Sequence, residues 1–195
     1  MIKGLIFDCD GTLVDSMGTH WTAWQKIMRR HGFQWTEEQF YSLGGVPSRD
    51  ILRLINQEQG LDLNPLAVAR EKEAIYESLL DQVGPIEPIV NIARENFGRI
   101  PMAVASGGTS RIIRKVLERN GLISLFGAIV TSENVSRQKP APDIFLEAAR
   151  QLGVNPLECR AYEDTNLGMQ AILAAGMEAV DVRLILAEQA CRDAA

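Results

Sequence analysis

Asp8 and Asp10 follow directly on the apolar run Leu5-Ile6-Phe7, and Glu163-Asp164 follow directly on a second short run, Arg160-Ala161-Tyr162. Side chains of extended backbone alternate between faces, so Asp8 and Asp10 are expected to share one crevice while Cys9 turns away. Glu163-Asp164 lead into Thr165-Asn166, residue types that start helices. Four carboxylates gathered at the ends of two strands repel one another unless a hard cation lies among them, and an all-oxygen donor set points to Mg²⁺ and not to zinc. Read singly, residues 8–11 are an ordinary turn and Glu163-Asp164 an ordinary acidic cap. Two further elements tip the balance.

The run Met102-Ala103-Val104-Ala105 ends in Ser106-Gly107-Gly108-Thr109-Ser110, a strand followed by a small, glycine-rich turn and a helix start. Such a turn exposes backbone N–H groups which, with the Ser106 hydroxyl and the positive end of the helix, bind an anion without any net positive charge. Lys139 stands before Pro140-Ala141-Pro142-Asp143, where two prolines stiffen the approach to a helix and present the ammonium from a defined backbone. A lone lysine is most often a solvated surface charge. Beside Asp8 and a phosphoryl group it would be a counter-ion.

The elements that must position these groups are legible as apolar runs at 5–7, 102–105, 128–131, 161–162 and 179–182, separated mostly by segments of helical period. That alternation predicts a parallel α/β sheet flanked by helices. Pro88, Thr109 or Ser110, Pro142-Asp143, and Thr165 or Asn166 mark helix starts, and Gly121, Gly153 and Gly176 mark stops. Residues 16–84 break the alternation: Trp21/Trp24/Ile27/Met28 and Ile51/Leu52/Leu54/Ile55 repeat with helical spacing and no strand lies between them. The expected organisation is a core made of residues 1–15 and 85–195 with a helical insertion at 16–84, hinged near 14–16 and 84–85.

A net charge of −5 excludes the basic footprint that a nucleic-acid or anionic-membrane binder needs. No apolar run approaches the ~18 residues required to span a bilayer. The first seven residues are too short an apolar stretch for a signal peptide, and three cysteines without CxxC spacing suggest neither disulfides nor a zinc site. A cytoplasmic monomer acting on a small phosphorylated molecule is the expectation, with no nucleic-acid or membrane partner.

Taken in order, Asp8-Cys9-Asp10-Gly11-Thr12-Leu13-Val14-Asp15-Ser16, Ser106, Lys139-Pro140-Ala141-Pro142-Asp143 and Glu163-Asp164-Thr165 resemble the four motifs of the haloacid dehalogenase superfamily. The insertion after the first motif resembles the cap of its β-phosphoglucomutase-like branch, and the fructose-1-phosphatase-like sugar phosphatases look most similar. The resemblance implies a Rossmann-like core with a helical cap. It implies Asp8 as the nucleophile that takes up the phosphoryl group and Asp10 as general acid and base. Mg²⁺ would be held by Asp8, the Asp10 main-chain carbonyl, Asp164 and Glu163. Ser106, the Gly107 N–H and Lys139 would hold the phosphoryl group, with His20, Arg49 and Lys72 as substrate contacts from the cap. A β-phosphoglucomutase would share every core motif, and a phosphate-binding module without turnover would share the fold. Thr165 and Arg160 are departures from the family pattern, the second without an evident reason in the sequence.

Overall fold

The computed structural model describes residues 1–193. Strand β1 (Gly4–Phe7) leads through a tight turn into β2 (Val14–Asp15), and four helices follow, α1 (Met17–His31), α2 (Glu37–Ser42), α3 (Ser48–Gln59) and α4 (Pro65–Glu77). The chain returns through β3 (Gly84–Pro85) and then alternates: α5 (Glu87–Asn96), β4 (Met102–Ser106), α6 (Ser110–Arg119), β5 (Ala128–Thr131), α7 (Asp143–Leu152), β6 (Cys159–Glu163), α8 (Asn166–Ala174), β7 (Glu178–Asp181) and α9 (Val182–Asp193). Strands β5-β4-β1-β6-β7 form one parallel sheet in that order.

The pleat divides the core in two. Leu5, Phe7, Met102 and Val104 face one side with Ile89, Val90, Ile112, Ile113 and Val116 of α5 and α6. Ile6, Ala103, Ala105 and Val130 face the other with Ile144, Phe145 and Ala148 of α7 and Ala171 and Ile172 of α8. A sheet covered on both faces explains why these strands read as continuous apolar runs. Arg160 falls directly opposite Glu178 in the β6–β7 register, and its Nε donates to Glu178 Oε1 at 2.8 Å, so the basic residue in this strand pairs with the edge strand's acid.

Residues of α1 to α4 bury a core of their own, in which Trp24 and Ile27 meet Phe33, Trp35, Phe40, Ile51, Leu52, Ile55, Val68 and Ala69. Trp24 and Trp35 meet edge to face with ring centroids 5.0 Å apart. Truncating a buried tryptophan of this kind costs about 3–5 kcal/mol. Both crossings of the chain into and out of this unit are paired: β2 and β3 run antiparallel, Val14 opposite Pro85 and Asp15 opposite Gly84. A ladder of ion pairs also joins the unit to the sheet's flanking helix. Glu73 and Glu77 of α4, then Asp81, meet Arg111, Lys115 and Arg119 of α6.

Candidate active site

Because β1 lies between β4 and β6, with Phe7 opposite both Val104 and Tyr162, the carboxyl ends of three strands open into one crevice. Asp8, Ser106 and Glu163 are thereby neighbours. The Asp8 N–H donates to the Tyr162 carbonyl at 3.0 Å, which fixes the first residue beyond the strand. Cys9 is fully buried in the core, whereas Asp8 and Asp10 both line a cavity of about 560 Å³ between the sheet and the helical unit.

Lys139, the residue before a cis peptide bond to Pro140, is buried and donates from Nζ to Asp8 Oδ1 and to Glu163 Oε2, both at 2.6 Å. Burial works against its charge, but the two carboxylates outweigh that and hold the ammonium well above its ordinary range. The other Glu163 oxygen accepts from the Thr165 N–H at 2.9 Å and from its hydroxyl at 2.7 Å, while the Thr165 oxygen accepts the Gly168 N–H at the start of α8. Thr165 thus caps the helix and orients the acid at once. Asp164 accepts from the Thr12 hydroxyl at 2.8 Å.

Asp8, Glu163 and Asp164 each offer an oxygen within 4.8 Å of the others. Burial, followed by the Glu163 charge, pushes Asp8 well above the usual carboxylate range and Asp164 up to about 7. Three carboxylates beside one ammonium are short of positive charge, and an all-oxygen donor set of this kind fits a hard divalent cation. Gly11 closes that side of the cluster: its φ is +83°, and a Cβ there would collide with the Asp164 carboxylate.

The Asp10 carboxylate is not part of this cluster. It is turned toward the helical unit, where Oδ1 accepts from the Ser16 hydroxyl at 2.7 Å and meets His20 Nε2 at 3.0 Å. Lys72 of α4 lies 2.6 Å from His20 Nδ1. An ammonium can only donate, so Nδ1 is the acceptor and Nε2 carries the proton given to Asp10. Tyr76 stacks on the imidazole, centroids 3.8 Å apart and rings 8° from parallel. Burial and the adjacent Lys72 lower the His20 pKa, and burial brings Lys72 down to about 8. Burial opposes the Asp10 charge too, but His20, Ser16 and Lys72 outweigh it and hold Asp10 at about 2.

Ser106 ends β4, and its oxygen accepts the Gly108 N–H at 3.1 Å, leaving its own proton free. Gly107 lies against the helical unit so closely that a Cβ there would collide with the Gly45 carbonyl oxygen. The Thr109 hydroxyl makes no cap to α6 and donates instead to Glu73 at 3.3 Å, because α4 lies across that helix start. Arg49, at the start of α3, lines the cavity with Asp50 as its partner at 3.7 Å.

Of the residues singled out from the sequence, Asp8, Asp10, Ser106, Gly107, His20, Arg49 and Lys72 line the one cavity. Glu163 and Lys139 lie buried against Asp8, and Asp164, beside them, lines a second cavity together with Gly11 and Thr165. Thr12, Ser16, Tyr76 and the Gly44-Gly45 turn were given no role from the sequence. Ser16 and Thr12 carry a usable signal, a hydroxyl at short spacing from an acid. Tyr76 and the glycine pair carry none until α4 and the turn are packed against the core.

Residues 5–182 match the family described as haloacid dehalogenase-like hydrolase. The chain is 44% identical over 183 residues to the fructose-1-phosphate phosphatase YqaB of Escherichia coli, covering 93% of this chain and 97% of that protein. It is 32% identical to the β-phosphoglucomutase of Bacillus subtilis, covering 93% and 83%. The crystal structure of a β-phosphoglucomutase from Clostridium difficile superposes with a TM-score of 0.81 at 29% identity, covering 93% and 84%.

Proposed function

The chain belongs to the haloacid dehalogenase-like hydrolase family, and on that premise we propose that it hydrolyses a small sugar monophosphate of the fructose 1-phosphate kind, with Asp8 as the nucleophile. The observation that carries this reading is the Asp8 carboxylate at the end of β1, 2.6 Å from the Lys139 ammonium and open to a cavity lined by Ser106 and Gly107. A carboxylate so placed splits one hard displacement into two easier ones.

In the first step an Asp8 oxygen bonds to phosphorus as the bond to the sugar oxygen breaks, giving an aspartyl phosphate and the free sugar. In the second, water attacks phosphorus, its proton passes to Asp10, and the bond to Asp8 breaks to release phosphate. Asp10 must therefore give a proton to the leaving oxygen and later take one from water, work worth roughly 10²–10⁴-fold in rate. Held at about 2, Asp10 is ionised in the empty site, so the proton it gives to the leaving oxygen is one taken up from solvent or from the phosphate monoanion as substrate binds. The negative charge of an arriving phosphate pushes its carboxyl upward, the direction the acid role requires. His20 keeps its Nε2 proton on Asp10, and Lys72 fixes that tautomer from the other side.

Lys139, the Ser106 hydroxyl and the Gly107 N–H hold the transferring group, the electrostatic part on which phosphoryl transfer chiefly depends. Mg²⁺ held by Asp8, Glu163, Asp164 and the main-chain carbonyl of Asp10 would supply the missing positive charge, keeping Asp8 ionised and neutralising phosphoryl oxygens. Residues 16–84 act as a cap that closes over the sugar and excludes water, with Arg49 and Lys72 as substrate contacts, whereas His20, expected from the sequence to be a third, has both ring nitrogens committed to Asp10 and Lys72 and acts through them.

The test is phosphate release with Mg²⁺ from fructose 1-phosphate, glucose 6-phosphate, β-glucose 1-phosphate and phosphoglycolate, with Asp8→Asn as control. Release from a sugar phosphate, abolished in the variant, is the expected result. Conversion of β-glucose 1-phosphate into glucose 6-phosphate without free phosphate overturns the hydrolase reading in favour of a mutase.

A further inference from the structure

Glu73 is out of place in a cavity built to receive a phosphate. It projects from α4 with 18% of its side chain exposed, and it is the one acid of the α4–α6 ladder that lines the cavity. Its ladder partner is engaged elsewhere: Arg111 makes its close contact with Glu77 and stands 3.8 Å from Glu73. The other contact, from the Thr109 hydroxyl, is long at 3.3 Å. A carboxylate has about four acceptor sites, and both contacts fall on one oxygen, so Glu73, which lines the cavity, retains acceptor capacity. Burial raises its pKa by more than the Lys72 charge, the Thr109 hydroxyl and Arg111 together lower it, and Glu133 adds to the rise, so its charge is incompletely compensated. On the core side, Glu133 lines the same cavity, with one oxygen committed to the Ser110 N–H at 2.8 Å.

A half-buried acid that repels the phosphoryl end of a substrate is consistent with a partner at the other end that donates hydrogen bonds. We propose that Glu73 is a specificity-determining residue that accepts a hydrogen bond from a hydroxyl of the sugar and so selects polyhydroxylated phosphates over phosphate esters without hydroxyls. The inference rests on the phosphohydrolase reading above and adds to it the group that reads the sugar. Because Glu73 sits on the helical unit and Thr109 on the core, the hydroxyl it binds lies at the junction of the two. Recognition of the sugar is thereby tied to the seating of α4 against α6.

The experiment measures dissociation constants by calorimetry with Mg²⁺ in the Asp8→Asn protein, which binds without turnover. The ligands are fructose 1-phosphate and phenyl phosphate. Adding Glu73→Leu is expected to weaken fructose 1-phosphate by about tenfold or more, the range for a lost hydrogen bond to a charged group. Phenyl phosphate should shift by less than about threefold, and Glu73→Asp should retain part of the discrimination. An equal shift for both ligands, or no shift for either, overturns the proposal, as does failure of both to bind before Glu73 is changed. Melting curves of each variant exclude misfolding as the cause. Absence of phosphate release by the wild-type protein would defeat the hydrolase reading alone, since the ratio of the two constants is read without turnover.

Discussion

Replacing Gly107 with alanine tests whether the helical unit must rest on the core for turnover. A Cβ on Gly107 would overlap the Gly45 carbonyl oxygen and lie 2.9 Å from the Gly45 carbonyl carbon. Both are backbone atoms, so no side chain can rotate aside. The turn carrying Gly44 and Gly45 must withdraw by roughly 1 Å to recover ordinary van der Waals separation. Displacement by that distance at a closing site costs about 10²-fold in rate, equivalent to about 2.7 kcal/mol in the barrier. Stability should fall modestly, because relieving the overlap costs about 1–3 kcal/mol and the restriction that alanine places on the unfolded chain, about 0.4–1 kcal/mol at a residue without positive φ, offsets only part of it. The assay pairs kcat/KM for fructose 1-phosphate with the melting temperature. The expected signature is a protein that melts within a few degrees of wild type and has lost about 10²-fold in kcat/KM. Wild-type kcat/KM in folded Gly107→Ala would refute the reasoning, since it would show that the Gly45–Gly107 contact is not needed in any step.

Lys139→Ala should remove nearly all activity and also destabilise the protein by about 3–5 kcal/mol, since Asp8 and Glu163 lose the ammonium between them. Calorimetry should show part of that loss recovered on adding Mg²⁺. In the wild-type protein, EDTA should abolish phosphate release and Mg²⁺ should raise the melting temperature by linkage, with Asp164→Asn weakening both responses. Lys72, brought down by burial from 10.5 to about 8, is charged at neutral pH, so KM should rise as pH passes 8, and Lys72→Met should lack that limb. The stability effect has the opposite sense. Between pH 8 and 10.5 the unfolded chain still holds the proton that the folded state has released, so the contribution of Lys72 to stability increases over that window. Urea midpoints at pH 7 and pH 10, compared with Lys72→Met, measure it.

Much of this site was legible because its chemistry is tied to strand ends. Asp8, Ser106 and Glu163 each follow or finish an apolar run, and a sheet buried on both faces keeps such runs continuous. Thr165 and Asn166 were recognisable as a helix start because capping depends on residues within one turn. The chain from Lys72 through His20 to Asp10 was not legible as a chain. It joins positions 52 and 10 residues apart, and only the packing of α4 along α1 brings Nζ to Nδ1. Thr109 shows the same limit from the other side. Its type and position predict a cap, but a carboxylate delivered by α4 offers its hydroxyl another partner. Arg160, unexplained in the sequence, becomes ordinary once β7 supplies Glu178 across the ladder.

The pairing of β2 with β3 has a mechanical consequence. Val14 and Asp15 on the outgoing chain lie opposite Pro85 and Gly84 on the returning chain, and the Ile86 N–H donates to the Leu13 carbonyl at 2.9 Å just beyond them. The helical unit is therefore not hung from two independent tethers. Its covalent connection to the core is one short ribbon, and a ribbon bends easily about one axis while resisting twist and sideways sway, with the ion pairs to α6 as breakable contacts on one side. Any motion of the unit over Asp8 would thereby be confined to a swing, and a turn that left Gly107 would return to the same place.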